Sequence, residues 1–172
     1  TPASRPYGIR IAPDGTPWIV ELGSNKLIRL DPETMALTEV ELPHADARPR
    51  RLEITSDGRI WYADWDRGTL GLYDPASGRF DEFELPDGGT GRGARPYGMA
   101  TDELDRVWVV ATGANPNLFI GFDTDSEEIV SITEIPSGAR SVRHMDYDEE
   151  SGTVWFGTDT ENLGRAVVRP DS

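Results

Sequence analysis

The chain repeats itself. RPYGIRIAPDGTPWIVELGSNKLIRLDPETMALTEVELP begins at Arg5 and returns as RPRRLEITSDGRIWYADWDRGTLGLYDPASGRFDEFELP from Arg48. A third copy, RPYGMATDELDRVWVVATGANPNLFIGFDTDSEEIVSITEIP, starts at Arg95, and a shortened fourth, ARSVRHMDYDEESGTVWFGTDTENLGRAVV, at Ala139. Trp18, Trp61, Trp108 and Trp155 recur in this frame at spacings of 43, 47 and 47. A period of this size means that each copy is one supersecondary unit, unable to bury its apolar face alone and obliged to stack on its neighbours. Within the first copy Ile9 to Ala12, Trp18 to Leu22, Leu27 to Leu30 and Thr38 to Leu42 are short alternating or β-branched runs. Pro13-Asp14-Gly15, Gly23-Ser24-Asn25 and Asp31-Pro32-Glu33 separate them. These are turns for a physical reason: Gly and Asn accept a positive φ, and Pro presets a negative one.

No stretch carries a sustained helical period. Four antiparallel strands in about 40–45 residues is the period of a β-propeller blade. A Greek-key sandwich also has short strands and frequent turns, but it gives no reason for tryptophan to recur in register. The expected fold is therefore all-β, a β-propeller in a single domain over residues 1–172, with blades at about 4–43, 47–86, 94–136 and 139–170. The four repeated tryptophans are expected to fill the space between neighbouring sheets. The fourth copy ends after its third strand, so the last blade lacks its outer strand. That predicts a part or half of a larger ring, closed by further blades or by self-association.

Composition narrows the function classes. The 17 Lys and Arg residues face 31 Asp and Glu residues, a net charge of −14, and Lys26 is the only lysine. Nucleic acids and anionic membranes are bound through basic patches, so neither is an expected partner. There is no cysteine, which removes disulfides, thiol catalysis and Cys-based zinc sites together. No apolar run approaches the roughly 18 residues of a membrane span. The chain opens at Thr1 without a leader. A soluble protein of the periplasm or exterior, processed or cut from something longer, is expected.

The run PYGIxxxPDGxxWxxE…NKLxRLDP, from Pro6 to Pro32, resembles the repeat of the virginiamycin B lyase (streptogramin lyase) propellers, and the resemblance extends blade by blade along the chain. It implies a seven-bladed relative whose last four blades this chain matches. It also implies elimination at the ester linkage of a cyclic depsipeptide, assisted by a magnesium ion, a histidine acid/base and glutamates on one face. In those lyases the histidine follows the proline that opens a blade. Here that place holds Tyr7, Arg50, Tyr97 and Arg143. The lyases' acidic residue three after the blade tryptophan is matched by Glu21 and Asp64, but Ala111 and Thr158 fill the other two places.

The internal copies act as a control: what recurs in every blade is structural, and what breaks the pattern is a candidate. Arg5, Arg48 and Arg95 recur before or near the blade-opening proline, as an ion pair or carbonyl clamp, or as a ring of positive charge. Arg50-Arg51 replaces the Tyr-Gly of Tyr7-Gly8 and Tyr97-Gly98, and Arg143-His144 does so in the fourth copy. Tyr7, Arg50, Arg51, Arg95 and Arg143 are the expected substrate-binding residues. Guanidinium and phenol groups around one mouth suit a carboxylate, phosphate or enolate-forming ligand. His144 and Tyr97 are the expected catalytic pair, because histidine as a residue type titrates near neutral pH. Glu21 and Asp64 supply the oxygen chemistry that Mg²⁺ or Ca²⁺ takes; Asp159 and Glu161 are looser candidates, and no organic cofactor is expected. His44 sits in an interblade linker and reads as exposed. Three functions stay open: a small-molecule enzyme of the lyase kind, a non-catalytic ligand- or protein-binding propeller, and a lactonase-type hydrolase using amides such as Asn115 and Asn117.

Overall fold

The computed structural model describes residues 1–168. It contains strands and turns and, among the described residues, no helix long and apolar enough to cross a membrane. The chain divides into two compact units, Thr1–Leu85 and Pro86–Ser172. In the first unit β1 (Pro6–Ile11), β2 (Pro17–Glu21), β3 (Lys26–Leu30) and β4 (Leu37–Glu41) form one antiparallel sheet in chain order. β5 (Pro49–Ile54), β6 (Ile60–Asp64), β7 (Thr69–Asp74) and β8 (Arg79–Glu84) form the next. The second unit holds β9 (Pro96–Thr101), β10 (Val107–Ala111), β11 (Leu118–Asp123) and β12 (Glu128–Glu134). Its other sheet is β13 (Met145–Asp148), β14 (Thr153–Gly157) and β15 (Leu163–Val167). The fold is all-β and built of propeller-type blade sheets. The fourth sheet has three strands among the described residues, and the expected blade limit at 170 lies outside them.

Repeated aspartates close the hairpins. Asp31 Oδ1 accepts the backbone N–H groups of Glu33 and Thr34, and Asp123 Oδ1 those of Asp125 and Ser126. Asp74 accepts from Ala76 N–H and the Ser77 hydroxyl. Such Asx turns satisfy backbone donors that have no ladder partner. They also hold all three carboxyls below the usual carboxylate range.

Within each unit the apolar faces of two sheets meet. Trp18, Val20 and Leu27 pack with Leu52, Ile60 and Tyr62, with Ile54 and Tyr73 at the margin. In the second unit Trp108, Val110 and Phe119 pack with Met145, Val154 and Phe156, with Tyr147 beside them. Cross-strand glycines make room for the aromatic rings: Tyr62 lies opposite Gly71 and Phe156 opposite Gly164. A Cβ on either glycine would lie 2.1 Å from the facing ring. Burial of Trp18, Trp61 and Trp108 agrees with a packing role for the repeated tryptophan. Trp155 departs from it. It is 38% exposed, and it stands on the face of β14 opposite Val154 and Phe156, which pack toward the third sheet.

Candidate functional site

The sequence-predicted residues gather at the opening end of each sheet, where the first strand begins and the second ends. Pro6 pairs with Glu21, Pro49 with Asp64 and Pro96 with Ala111. At this place the ladder breaks register in all three sheets, between Pro6 and Ile9, between Pro49 and Arg51, and between Val109 and Ala111. The irregularity falls on Tyr7-Gly8, on Arg50 and on Tyr97-Gly98. A bulge of this kind re-aims side chains and is over-represented beside functional sites. The fourth sheet pairs regularly from Met145.

In the first unit this end carries both arginines and buried carboxyl groups. β1 and β5 run close together because Gly8 carries no side chain: a Cβ there would lie 2.8 Å from the Arg50 carbonyl oxygen and 3.0 Å from Arg51 Cα. The approach sets the Arg51 guanidinium 4.8 Å from the centre of the exposed Tyr7 ring. Arg50 lies 4.1 Å over the ring of Trp65 instead. Tyr7, Arg50 and Arg51 are thus brought to one neighbourhood, with Trp65 as a member that the repeat analysis passed over. Its signal was available, since Trp65 stands outside the shared tryptophan frame. Arg48, by contrast, clamps backbone carbonyls, donating to Ala45 and Ala47.

Glu21 and Asp64, the last residues of β2 and β6, are buried. The Ser24 hydroxyl donates to Glu21 Oε2 at 2.5 Å. Arg48 N–H and Arg67 N–H donate to Asp64 Oδ1 at 3.0 and 3.3 Å. The other oxygens, Glu21 Oε1 and Asp64 Oδ2, are buried and make no hydrogen bond. Burial pushes the Asp64 carboxyl up, against the two backbone donors that favour its charge. An unpartnered buried carboxylate oxygen has the donor chemistry that Mg²⁺ or Ca²⁺ takes. No three His, Asp or Glu side chains converge as a ligand set among the described residues, so these two do not form a complete cation cage by themselves.

In the second unit Tyr97 is buried, whereas Arg143 and His144 are exposed. Arg143 forms a two-point ion pair with Asp159, Nη2 to Oδ2 at 2.9 Å and Nε to Oδ1 at 3.3 Å. That pairing holds the Asp159 carboxyl below its usual range. His144 lines an open depression of about 590 Å³ with Asp146, Trp155, Asp159, Glu161 and Asn162. Arg95 is exposed and adopts a left-handed φ of 50°, as Arg5 does. Its carbonyl accepts the N–H of Thr112, as the Arg5 carbonyl accepts that of Leu22. Arg48 makes the same carbonyl contact, accepting from Trp65 N–H, without the left-handed φ, so the carbonyl bond recurs in all three sheets and the conformation in two. Asn117, an amide considered for a lactonase centre, donates to the carbonyls of Ala111 and Arg140. His44 is half-exposed and its Nε2 lies 2.9 Å from Glu82 Oε2.

The family described as the virginiamycin B lyase family matches residues 1–115. A structure of a catalytically inactive histidine-to-alanine virginiamycin B lyase from Staphylococcus aureus with quinupristin is 25% identical, with a TM-score of 0.75. That likeness covers 96% of this chain and 56% of the lyase. A streptogramin B lyase structure is 20% identical over 99% of this chain and 57% of its own, with a TM-score of 0.75. Hydrazine synthase from Kuenenia stuttgartiensis aligns at a TM-score of 0.79 and 19% identity, covering 96% of this chain and 46% of that one. The last two likenesses speak for the fold alone. The chain spans a little over half the length of the lyases it matches. A search of curated proteins gave no significant match.

Proposed function

Because this chain belongs to the virginiamycin B lyase family, we propose that it binds a small organic molecule at the opening end of its sheets, with carbon–oxygen elimination on a cyclic ester as the reaction class. The observation that carries the reading is the Arg51 guanidinium set against the Tyr7 ring at a ladder irregularity. A guanidinium, a phenol and the Arg50–Trp65 pair give one face both a cationic and an aromatic contact for a carboxylate or a polarised carbonyl. In such an elimination a base removes a proton from the carbon next to the one bearing the ester oxygen. That carbon–oxygen bond breaks, a carbon–carbon double bond forms and the carboxylate departs, so no water is added. Within the second unit taken by itself, His144 is the residue proposed to take a proton, Tyr97 its catalytic partner, and Arg95 and Arg143 the substrate contacts. Within the first unit, Glu21 and Asp64 are proposed to meet a divalent ion, which when bound would polarise a carbonyl held by that unit's own arginines.

A second reading is a binding module without chemistry. Tyr7, Arg50, Tyr97 and Arg143 stand where the lyases carry histidine, and this favours it.

One experiment separates these readings. The chain is incubated with quinupristin, with Mg²⁺ or with a chelator, while mass spectrometry follows the products and tryptophan fluorescence follows binding. A ring-opened product of unchanged mass supports elimination, and one heavier by a water supports a hydrolase. Saturable binding without turnover, weakened about tenfold or more in Arg51→Ala, supports the module. Absence of any saturable binding overturns the proposal.

A further inference from the structure

The first unit has a cavity of its own at the far end of its strands from the opening end. An open cleft of about 630 Å³ lies between its two sheets, walled by the turns after β1, β5 and β7. Its lining runs from Ala12 to Ala76 and so stays within that unit. Trp18 and Tyr73 give it an aromatic base, their rings edge to face with centres 5.9 Å apart.

The second unit shows what the repeat places in such a gap. Ala12 N–H donates to the Thr16 carbonyl as Asp102 N–H does to that of Arg106, so the two pairs are equivalent. Asp102 Oδ2 accepts the Trp108 indole N–H and the Arg106 Nε–H, each at 2.8 Å. The Arg106 guanidinium lies 5.3 Å from the Trp108 ring centre. From there it crosses to the fourth sheet, where Nη2 donates to the Val168 carbonyl at 2.8 Å. A carboxylate and a guanidinium thus bridge the two sheets of the second unit. In the first unit both are gone: alanine stands for the carboxylate and threonine for the guanidinium. Trp18 is 5% exposed, and among the described residues its indole N–H has no acceptor. A buried donor left without a partner is unfavourable, so the cleft wants an acceptor from outside the chain.

Charge on the walls matches the missing pair. Arg29, opposite Trp18 in the ladder, lines the cleft and makes no ion pair among the described residues. Asp14, Asp57 and Asp74 line it too. Asp57 is already paired with Arg59. Asp14 accepts from Thr16 N–H, and Asp74 from Ala76 N–H and the Ser77 hydroxyl. These donors are neutral and do not cancel a carboxylate's charge.

We propose that this cleft binds a free basic α-amino acid. Its carboxylate accepts from the Trp18 indole N–H and the Arg29 guanidinium, and its cationic side chain lies toward Asp14 and Asp74. The ligand thereby supplies from solution the carboxylate and the cation that the second unit carries on Asp102 and Arg106. The site does not depend on the activity proposed for the opening end.

Titration calorimetry tests this with three probes. L-Arginine is expected to saturate at one equivalent per chain. Agmatine, which lacks the carboxylate, and valerate, which lacks the cations, should each bind about tenfold or more weakly. Arg29→Ala alters an exposed side chain and should weaken L-arginine about tenfold while leaving agmatine as it was. The double variant Ala12→Asp with Thr16→Arg installs the second unit's pair in the gap and should abolish L-arginine binding, with circular dichroism checking its fold. Where that variant does not fold, the Arg29→Ala arm decides. Absence of saturable L-arginine binding, agmatine binding as tight as L-arginine, or full binding retained in either variant would overturn the proposal. So would loss of binding in Arg51→Ala, which would place the ligand at the opening end.

Discussion

Replacing Gly71 with alanine tests the sheet packing where geometry gives a definite answer. Gly71 faces Tyr62 across the β6–β7 ladder. A Cβ at that position would lie 2.1 Å from Tyr62 Cζ and 2.2 Å from Cε2, more than an ångström inside ordinary contact. The ring has nowhere to retreat, since Tyr62 is fully buried and packed against the first sheet. Overpacking of this kind costs about 2–3 kcal/mol, which in a chain of this length lowers the melting temperature by about 4–12 °C. The cost comes from the far end of the ring, so Tyr62→Leu, which has no atoms there, should abolish it. In the Tyr62→Leu background the same Gly71→Ala change should be neutral or stabilising by about 0.5 kcal/mol, because alanine restricts the unfolded chain more than glycine. The assay is a double-mutant cycle read by urea unfolding. A Gly71→Ala penalty below about 0.5 kcal/mol, or one that persists unchanged beside Tyr62→Leu, would refute the packing argument.

Asp64→Asn should remove a pH dependence of definite sign. Burial raises the Asp64 carboxyl above the ordinary aspartate value, so its ionisation subtracts stability as pH climbs past that value and subtracts none below it. The stability difference between variant and unaltered chain should therefore grow from about pH 4 toward neutrality in urea titrations, and a flat difference would contradict it. Asp31, Asp74 and Asp123 have lowered values and work the other way. Their contribution is complete above about pH 4 and is lost as pH falls through their folded values, so replacing all three by Asn should flatten the acid limb of the unfolding curve. Asp102→Ala should cost about 3 kcal/mol. It strips the acceptor from the Trp108 indole at 2.8 Å and from the Arg106 guanidinium at 2.7 Å, and a calorimetric loss under about 1 kcal/mol would count against that role. Arg143→Ala, which breaks an exposed pair with Asp159, should change stability by no more than about 1 kcal/mol.

The opening-end arrangement shows what a repeat can and cannot disclose about a site. Arg50-Arg51 and Arg143-His144 stand out in sequence because they interrupt a Tyr-Gly pattern, and the structure gives the interruption a physical meaning. Gly8 and Gly98 let the following sheet come close: Gly8 meets the Arg50–Arg51 backbone, and Gly98 meets Val142. What one strand's pattern cannot state is where a long side chain goes after the backbone has placed it. Arg50 turns to Trp65, Arg51 to Tyr7 and Arg143 to Asp159, choices fixed by neighbours distant in sequence. The buried state of Glu21 and Asp64, each with one oxygen lacking a hydrogen bond, is likewise a property of packing.

Local chemistry determined the strands, the Asx turns and the sheet count, because alternation, proline, glycine and aspartate act within a few residues and recur in register. Burial is a relation between sheets, and that is where the tertiary structure decided. The same repeat position is covered at Trp18 and Trp108 and open at Trp155, although nothing in the residues around it differs enough to say so. A tryptophan specifies an apolar face, but whether water reaches that face depends on whether another sheet lies against it.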